Sequence, residues 1–177
     1  MNSAAKVLLA VFVAATCHGA TDSLRYRSPD GAFSVMNVGD SAYPDHYFEI
    51  RDRNGHVLLA SNSFPSLESG SFASSIRWSP DSAFVAFSVL TSGPYLQDAF
   101  VYSIGDRSLL RILTKEVDYE TTPLRWIDPH TLILQSRTPV GGKASDDRPT
   151  YRFRRTVRLS SSPLRYKVID ASPRSIE

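Results

Sequence analysis

Arg77-Trp78-Ser79-Pro80-Asp81-Ser82-Ala83-Phe84-Val85-Ala86-Phe87 is the stretch that decides the fold of this 177-residue chain. It joins an aromatic strand end, a Ser-Pro-Asp turn and an apolar run. Proline presets the turn, and the serine and aspartate side chains can accept hydrogen bonds from nearby backbone amides. The same order stands earlier, at Tyr26-Arg27-Ser28-Pro29-Asp30-Gly31-Ala32-Phe33-Ser34-Val35. A weaker copy follows at Arg125-Trp126-Ile127-Asp128-Pro129-His130-Thr131-Leu132-Ile133-Leu134. Pro29 and Pro80 are 51 residues apart, and Trp78 and Trp126 are 48 apart.

Outward from these turns, the chain alternates short apolar runs with Gly, Pro, Asp, Asn and Ser, and no segment holds a helical period for three turns. That pattern predicts an all-β chain. In the first unit, strands are expected at 33–38, 47–51 and 56–60, the last two joined by Asp52-Arg53-Asn54-Gly55, whose Asn-Gly pair suits a tight hairpin. The second unit repeats the order with strands at 84–89, 99–104 and 108–113. The third is more degenerate, with strands at 132–136, 151–159 and 164–169 and a polar tail over 171–177. A period of about 40 to 50 residues with several strands per unit is the mark of propeller blades.

The middle unit resembles one blade of the TolB-type β-propeller family. Trp78-Ser79-Pro80-Asp81, Phe84-Val85-Ala86-Phe87, Phe100-Val101-Tyr102, Gly105-Asp106 and Leu113-Thr114 carry the likeness. Unit one keeps Ser28-Pro29-Asp30-Gly31 with Tyr26 where Trp is usual, and unit three keeps Trp126 but replaces the turn by Ile127-Asp128-Pro129-His130. Closed propellers use about four to eight blades, and this chain has room for about three. The resemblance therefore implies stacked antiparallel blade-like sheets, as a partial propeller or a compact sandwich. The end faces then need cover, from the chain itself as a monomer or from a second copy.

The ends bound the compartment. Met1 to Lys6 are weakly basic, 7–15 are an unbroken apolar run, and Thr16-Cys17-His18-Gly19-Ala20 ends in small residues. That is the layout of a secretory signal peptide cleaved near Gly19-Ala20, too short to span a bilayer, and it predicts a periplasmic or secreted protein with one domain over 21–170. Cys17 is the only cysteine and would be the acylated residue of a lipoprotein signal, although Ala14-Ala15-Thr16 fits such a signal poorly. A thiol-free exported domain must be held by its core alone. The formal net charge of +2 is near neutral, which with the export signal speaks against nucleic acid. The densest cationic cluster, Arg148, Arg152, Arg154, Arg155 and Arg158, falls partly on alternate strand positions and suits an anionic partner or a solvated strand face.

Chemistry is sparse in the sequence. His46, His56 and His130 lack metal-ligand spacing, and no Gly-x-Ser-x-Gly elbow is present. Adjacent strand residues such as Asp45 and His46 point to opposite faces. Asp146-Asp147 lack the alternating oxygen ligands of a calcium loop, and Gly141-Gly142-Lys143 lacks the strand-to-helix context of a phosphate loop. Trp78 and Trp126 fit blade framework better than sugar platforms. No cofactor, metal or catalytic residue is expected. The connections between the first and second predicted strands, 39–46, 91–97 and 138–150, should share one rim. They hold Asp40, Tyr43, Asp45, His46, Tyr95, Asp146, Asp147 and Arg148, a set suited to recognition because loops on a rigid scaffold are where binding resides. The expectation is an exported, non-enzymatic module for a protein partner, such as an inhibitor or immunity protein. An envelope glycan-binding protein or hydrolase, and half of a propeller made by two copies, are the alternatives.

Overall fold

The computed structural model describes residues 26–39, 47–64, 67, 72–90, 97–113, 120–139, 150–172 and 175–176. The chain is all-β, in antiparallel meanders that do not close on themselves. Unit one holds β1 (Phe33–Val38), β2 (Tyr47–Asp52) and β3 (Val57–Ala60), paired in that order. Unit two holds β4 (Ala73–Trp78), β5 (Phe84–Leu90), β6 (Gln97–Ser103) and β7 (Ser108–Arg111). Unit three holds β8 (Glu120–Asp128), β9 (Thr131–Pro139), β10 (Thr150–Ser160) and β11 (Arg165–Ala171). Among the described residues one parallel pair, Gln97↔Glu120, links units two and three into one nine-stranded sheet.

Each complete unit is thus a four-stranded meander whose first strand precedes the turn. β4 and β8 show in the sequence only as the aromatic end Arg77-Trp78 and its echo; in unit one the described residues show the equivalent pairing as the bridge Arg27↔Ser34. The Asn-Gly hairpin also differs from expectation. Asp52 N–H bonds to the His56 carbonyl at 3.0 Å, and Gly55 alone takes a positive φ, +85°. The Asp52 carboxylate accepts from the Asn54 and His56 amides at 2.8 and 2.9 Å, which favours a three-residue loop over a two-residue turn. Where the sequence reads a polar tail, Ala171 closes β11, and β12 (Ser175–Ile176) pairs with β10.

The turns that opened the sequence are built alike. Ser79 Oγ accepts from Phe84 N–H at 2.9 Å and donates to Asp81 Oδ1 at 2.6 Å, while Asp81 accepts from Ala83 N–H at 3.2 Å. Ser28, Asp30, Ala32 and Phe33 repeat this with 2.9, 2.6 and 2.9 Å. Gly31 and Ser82 occupy the same left-handed position, at φ +68° and +62°. Serine there, where unit one has glycine, carries strain. Its hydroxyl is used: Ser82 Oγ accepts from the Asp30 amide at 3.3 Å, one unit away.

Three contacts recur between successive units and fix how they stack. Trp78 donates its indole N–H to the Tyr26 carbonyl at 2.8 Å, and Trp126 to the Arg77 carbonyl at 3.0 Å. Trp78 stacks on Phe33 with centroids 6.2 Å apart, and Trp126 on Phe84 at 6.1 Å. Asn37 Nδ2 donates to the Ala73 carbonyl at 3.1 Å, and the Ser88 hydroxyl donates to the Thr121 carbonyl at 3.3 Å. The two interfaces are therefore related by the repeat itself. Both tryptophans are half-buried framework residues, as the repeat predicts.

Unit two is the filling of this stack, so its strands read as apolar runs rather than alternating ones. Val85, Phe87, Val89, Phe100 and Tyr102 face unit one and pack with Val35, Phe48, Ile50 and Leu59. Phe84, Ala86, Ala99 and Val101 face unit three and pack with Leu132, Leu134, Val157 and Leu159. Burying each such side chain contributes about 1.5–3 kcal/mol.

The end faces break the pattern. By register, Phe33↔Asp52, Phe84↔Ser103 and Thr131↔Arg158 are equivalent rows. Unit one accordingly carries Ser34, Met36, Glu49 and Arg51 where unit two has Val85, Phe87, Phe100 and Tyr102. Unit three carries Arg154, Thr156 and Arg158 where unit two has Ala99, Val101 and Ser103. Repeat stacks end in units with a polar outer face, and both ends here follow that rule.

Candidate functional site

The recurring contacts align the units in parallel. The Ser-Pro-Asp turns gather at one end, and the strand ends that lead into 39–46, 91–97 and 138–150 gather at the other. At that rim stand Val38 and Tyr47, Leu90 and Gln97, and Pro139 and Thr150, the last and first residues of the three strand pairs. Asp40, Tyr43, Asp45, His46, Tyr95, Asp146, Asp147 and Arg148 all lie outside the described residues, as does Cys17. The structure thus brings their anchoring strand ends together and says nothing of the residues themselves.

Ion pairs brace the described part of this rim. Arg111 pairs with Asp98 across β6 and β7, and Arg137 Nη1 lies 3.3 Å from Glu120 Oε2 across β8 and β9. At 13 and 17 residues' separation these pairs carried no sequence signal until the strands were aligned. Leu90, 44% exposed, is an apolar group on the same rim.

The opposite end holds two hollows beside the turns. One, of about 240 Å³, is lined by Arg27, Gly31, Phe33, Arg51, Asp52 and Arg53 among others. The other, shallow and about 470 Å³, is lined by Asp128, His130, Arg158, Leu159, Ser160 and Ser161. Asp128 Oδ1 accepts from the His130 amide at 2.8 Å. That bond, with further bonds from the turn and the Arg158 charge, holds its carboxyl below the ordinary value. The His130 ring meets Phe84 edge-on at 5.6 Å. His56 Nδ1 lies 3.0 Å from Asp52 Oδ2 on the unit-one turn. Burial pushes the Asp52 carboxyl up, and the His56 and Asn54 hydrogen bonds and the His56 charge outweigh it, so its pKa is lowered. The two histidines serve different turns and do not converge. Among the described residues no three His, Cys, Asp or Glu side chains gather to hold a metal.

The cationic cluster resolves into two faces. Arg152, Arg154 and Arg158 are exposed on the outer face of β10. Arg155 points inward, 8% exposed, with its guanidinium 4.6 Å from the Phe153 ring centroid.

No family model and no curated protein sequence matches the chain. Among solved structures it is similar to hydrazine synthase of Kuenenia stuttgartiensis, at 11% identity and a TM-score of 0.49, covering 80% of this chain and 40% of that one. It is also similar to TolB of Acinetobacter baumannii, at 15% identity and a TM-score of 0.43, covering 81% of this chain and 39% of that one. The chain spans about two fifths of the length of these two proteins. Among the described residues no helix is long and apolar enough to cross a membrane.

Proposed function

We propose that this chain is an exported, non-enzymatic binding module built from three degenerate TolB-type repeats, and that it presents its rim loops to a protein partner. One observation carries the reading: three long connections leave the same rim of a stack whose middle sheet is buried on both faces. Such a scaffold holds loops in fixed relation, which lowers the ordering cost of binding. An inhibitor or immunity protein directed at an envelope enzyme is the subtype that suits the signal-like residues 1–20. Glycan stacking on tryptophan is disfavoured, since Trp78 and Trp126 are already stacked on Phe33 and Phe84. A propeller made by two copies is disfavoured by the polar end faces, which offer little apolar area to a further blade.

The test is affinity capture from periplasmic extract with the tagged protein and with a variant carrying Tyr43→Ala, Tyr95→Ala and Arg148→Ala. A specific partner captured by the native protein and lost by the variant is expected. A partner retained by the variant, or no partner for the native protein, overturns the rim assignment.

A further inference from the structure

The two end faces of the stack are both polar, but they differ in charge. On unit one the carboxylate of Glu49, 6% exposed, meets Arg51 at 2.5 Å and neutralises it, and Arg27, opposite Ser34, is a further cation of that face. On unit three the outer face carries Arg125, Arg152, Arg154, Arg158, Arg165 and Lys167, all exposed. Against them on that face stand Asp170 and the self-contained pair of Arg137 with Glu120, with Asp128 at the edge beside Arg158. Arg125, Arg154, Arg158, Arg165 and Lys167 have no ion-pair partner among the described residues. The whole chain has a formal net charge of only +2, and among the described residues this one face carries six exposed cations.

Capping alone does not call for this arrangement. A terminal repeat needs a polar outer face, which unit one achieves with both signs. One sign of charge on a sheet is self-repelling, and directly opposed like charges destabilise a strand pair. Unit three sets Lys167 opposite Arg158. The composition also points to a class of partner. Five of the six exposed cations are arginine, whose planar fork matches carboxylates in two-point contact. They surround Ile127, 53% exposed, and the half-buried Ile133. Arginine with apolar neighbours is the composition of protein interfaces, where lysine is depleted. The described residues of the face include no aromatic side chain on which a base would stack.

We propose that the outer face of unit three is a second docking surface, separate from the rim, for an acidic protein segment whose carboxylates pair with Arg154, Arg158 and their neighbours. The acidic segment supplies the charge that the face lacks, and its docking relieves the repulsion between the opposed cations.

The test titrates the purified protein with poly-L-glutamate at low and at physiological ionic strength. The native protein binds, and binding weakens with salt. Replacing Arg154, Arg158 and Lys167 together by Gln weakens it about tenfold or more, while replacing Arg27, Arg53 and Arg107 by Gln changes it less than about twofold. An equal loss in both variants reduces the attraction to net charge and overturns the proposal. Tighter binding to single-stranded DNA, or to vesicles of anionic phospholipid, overturns the choice of a protein partner. Removing self-repulsion should leave the melting temperature of the first variant unchanged or raised. A fall of more than about 5 °C would make these cations structural and overturn the proposal as well.

Discussion

At the scale of single residues, the Ser-Pro-Asp turn explains why the sequence motif reads so clearly. Ser79 and Asp81 satisfy each other and the turn's own amides, so the motif specifies its own backbone. Ser82 shows where a local rule yields to a longer contact. A serine at φ +62° is strained relative to glycine, yet its hydroxyl reaches the Asp30 amide of the preceding turn. Ser82→Ala keeps the strain and loses the bond, whereas Ser82→Gly loses the bond and relieves the strain. Denaturant titrations should therefore rank Ser82→Ala below Ser82→Gly by about 1 kcal/mol. Asp30 gives the pH counterpart. Hydrogen bonds from the Ser28 hydroxyl, the Ala32 amide and Ser82 hold its carboxyl below the ordinary value of 3.8. A lowered carboxyl pKa contributes stability that is present above the unfolded value and lost as pH falls through the folded one. Asp30→Asn should thus flatten the acid limb of a stability profile below about pH 4, and leave its shape above that unchanged. An unaltered acid limb in the variant would place the acid sensitivity elsewhere.

At the scale of elements, the repeat was legible where side chains signal their own backbone, and illegible where the partner lies elsewhere. β1 matches the expected 33–38 residue for residue, and β5 differs by one, because turn chemistry and apolar runs bracket both. β4, Ala-Ser-Ser-Ile-Arg-Trp, is polar and half-exposed, and its strand character comes from pairing with β5. β8 contains Pro123, which a strand tolerates beside a bulge, and the register does shift between Pro123 and Arg125. The rim was inferred from loop order and its residues were named, but those residues fall outside the described part of the chain. The charged face was visible as alternate arginines, though only the register separates Arg155 from its neighbours. The indole staple between units is the element-scale contact most open to test. Trp126→Phe keeps the stack on Phe84 and loses the hydrogen bond to the Arg77 carbonyl, costing about 1 kcal/mol. Trp126→Ala loses both and should cost about 3 kcal/mol. If chemical denaturation finds the two variants equal, the stack contributes nothing and the staple is only a hydrogen bond.

At the scale of the whole molecule, the fold answers how three meanders stack without closing into a ring. A closed propeller removes its end faces by joining them, and this chain instead changes their composition. Unit two buries Phe84, Ala86, Ala99 and Val101 against unit three. At the equivalent row positions unit three offers Thr131, Ile133, Arg154 and Thr156, with Arg158 beyond. The stack therefore stops where an Ala position becomes Arg154, since a buried unpaired guanidinium would cost more than the added contacts return. The same substitutions can be run backwards. A variant with Arg154→Ala, Thr156→Val and Arg158→Ser carries the residues of unit two on the outer face of unit three. The centre of that face loses two arginines and gains apolar area beside Ile133, and exposed apolar area of this kind favours association. Sedimentation velocity should find this variant shifted toward dimers or larger species with rising concentration, and the native protein unchanged over the same range. Association of the native protein to the same extent would mean that the arginines do not terminate the stack. A variant that stays as it was would mean that the rest of the face, Ile133 and Gln135 included, is enough to end it.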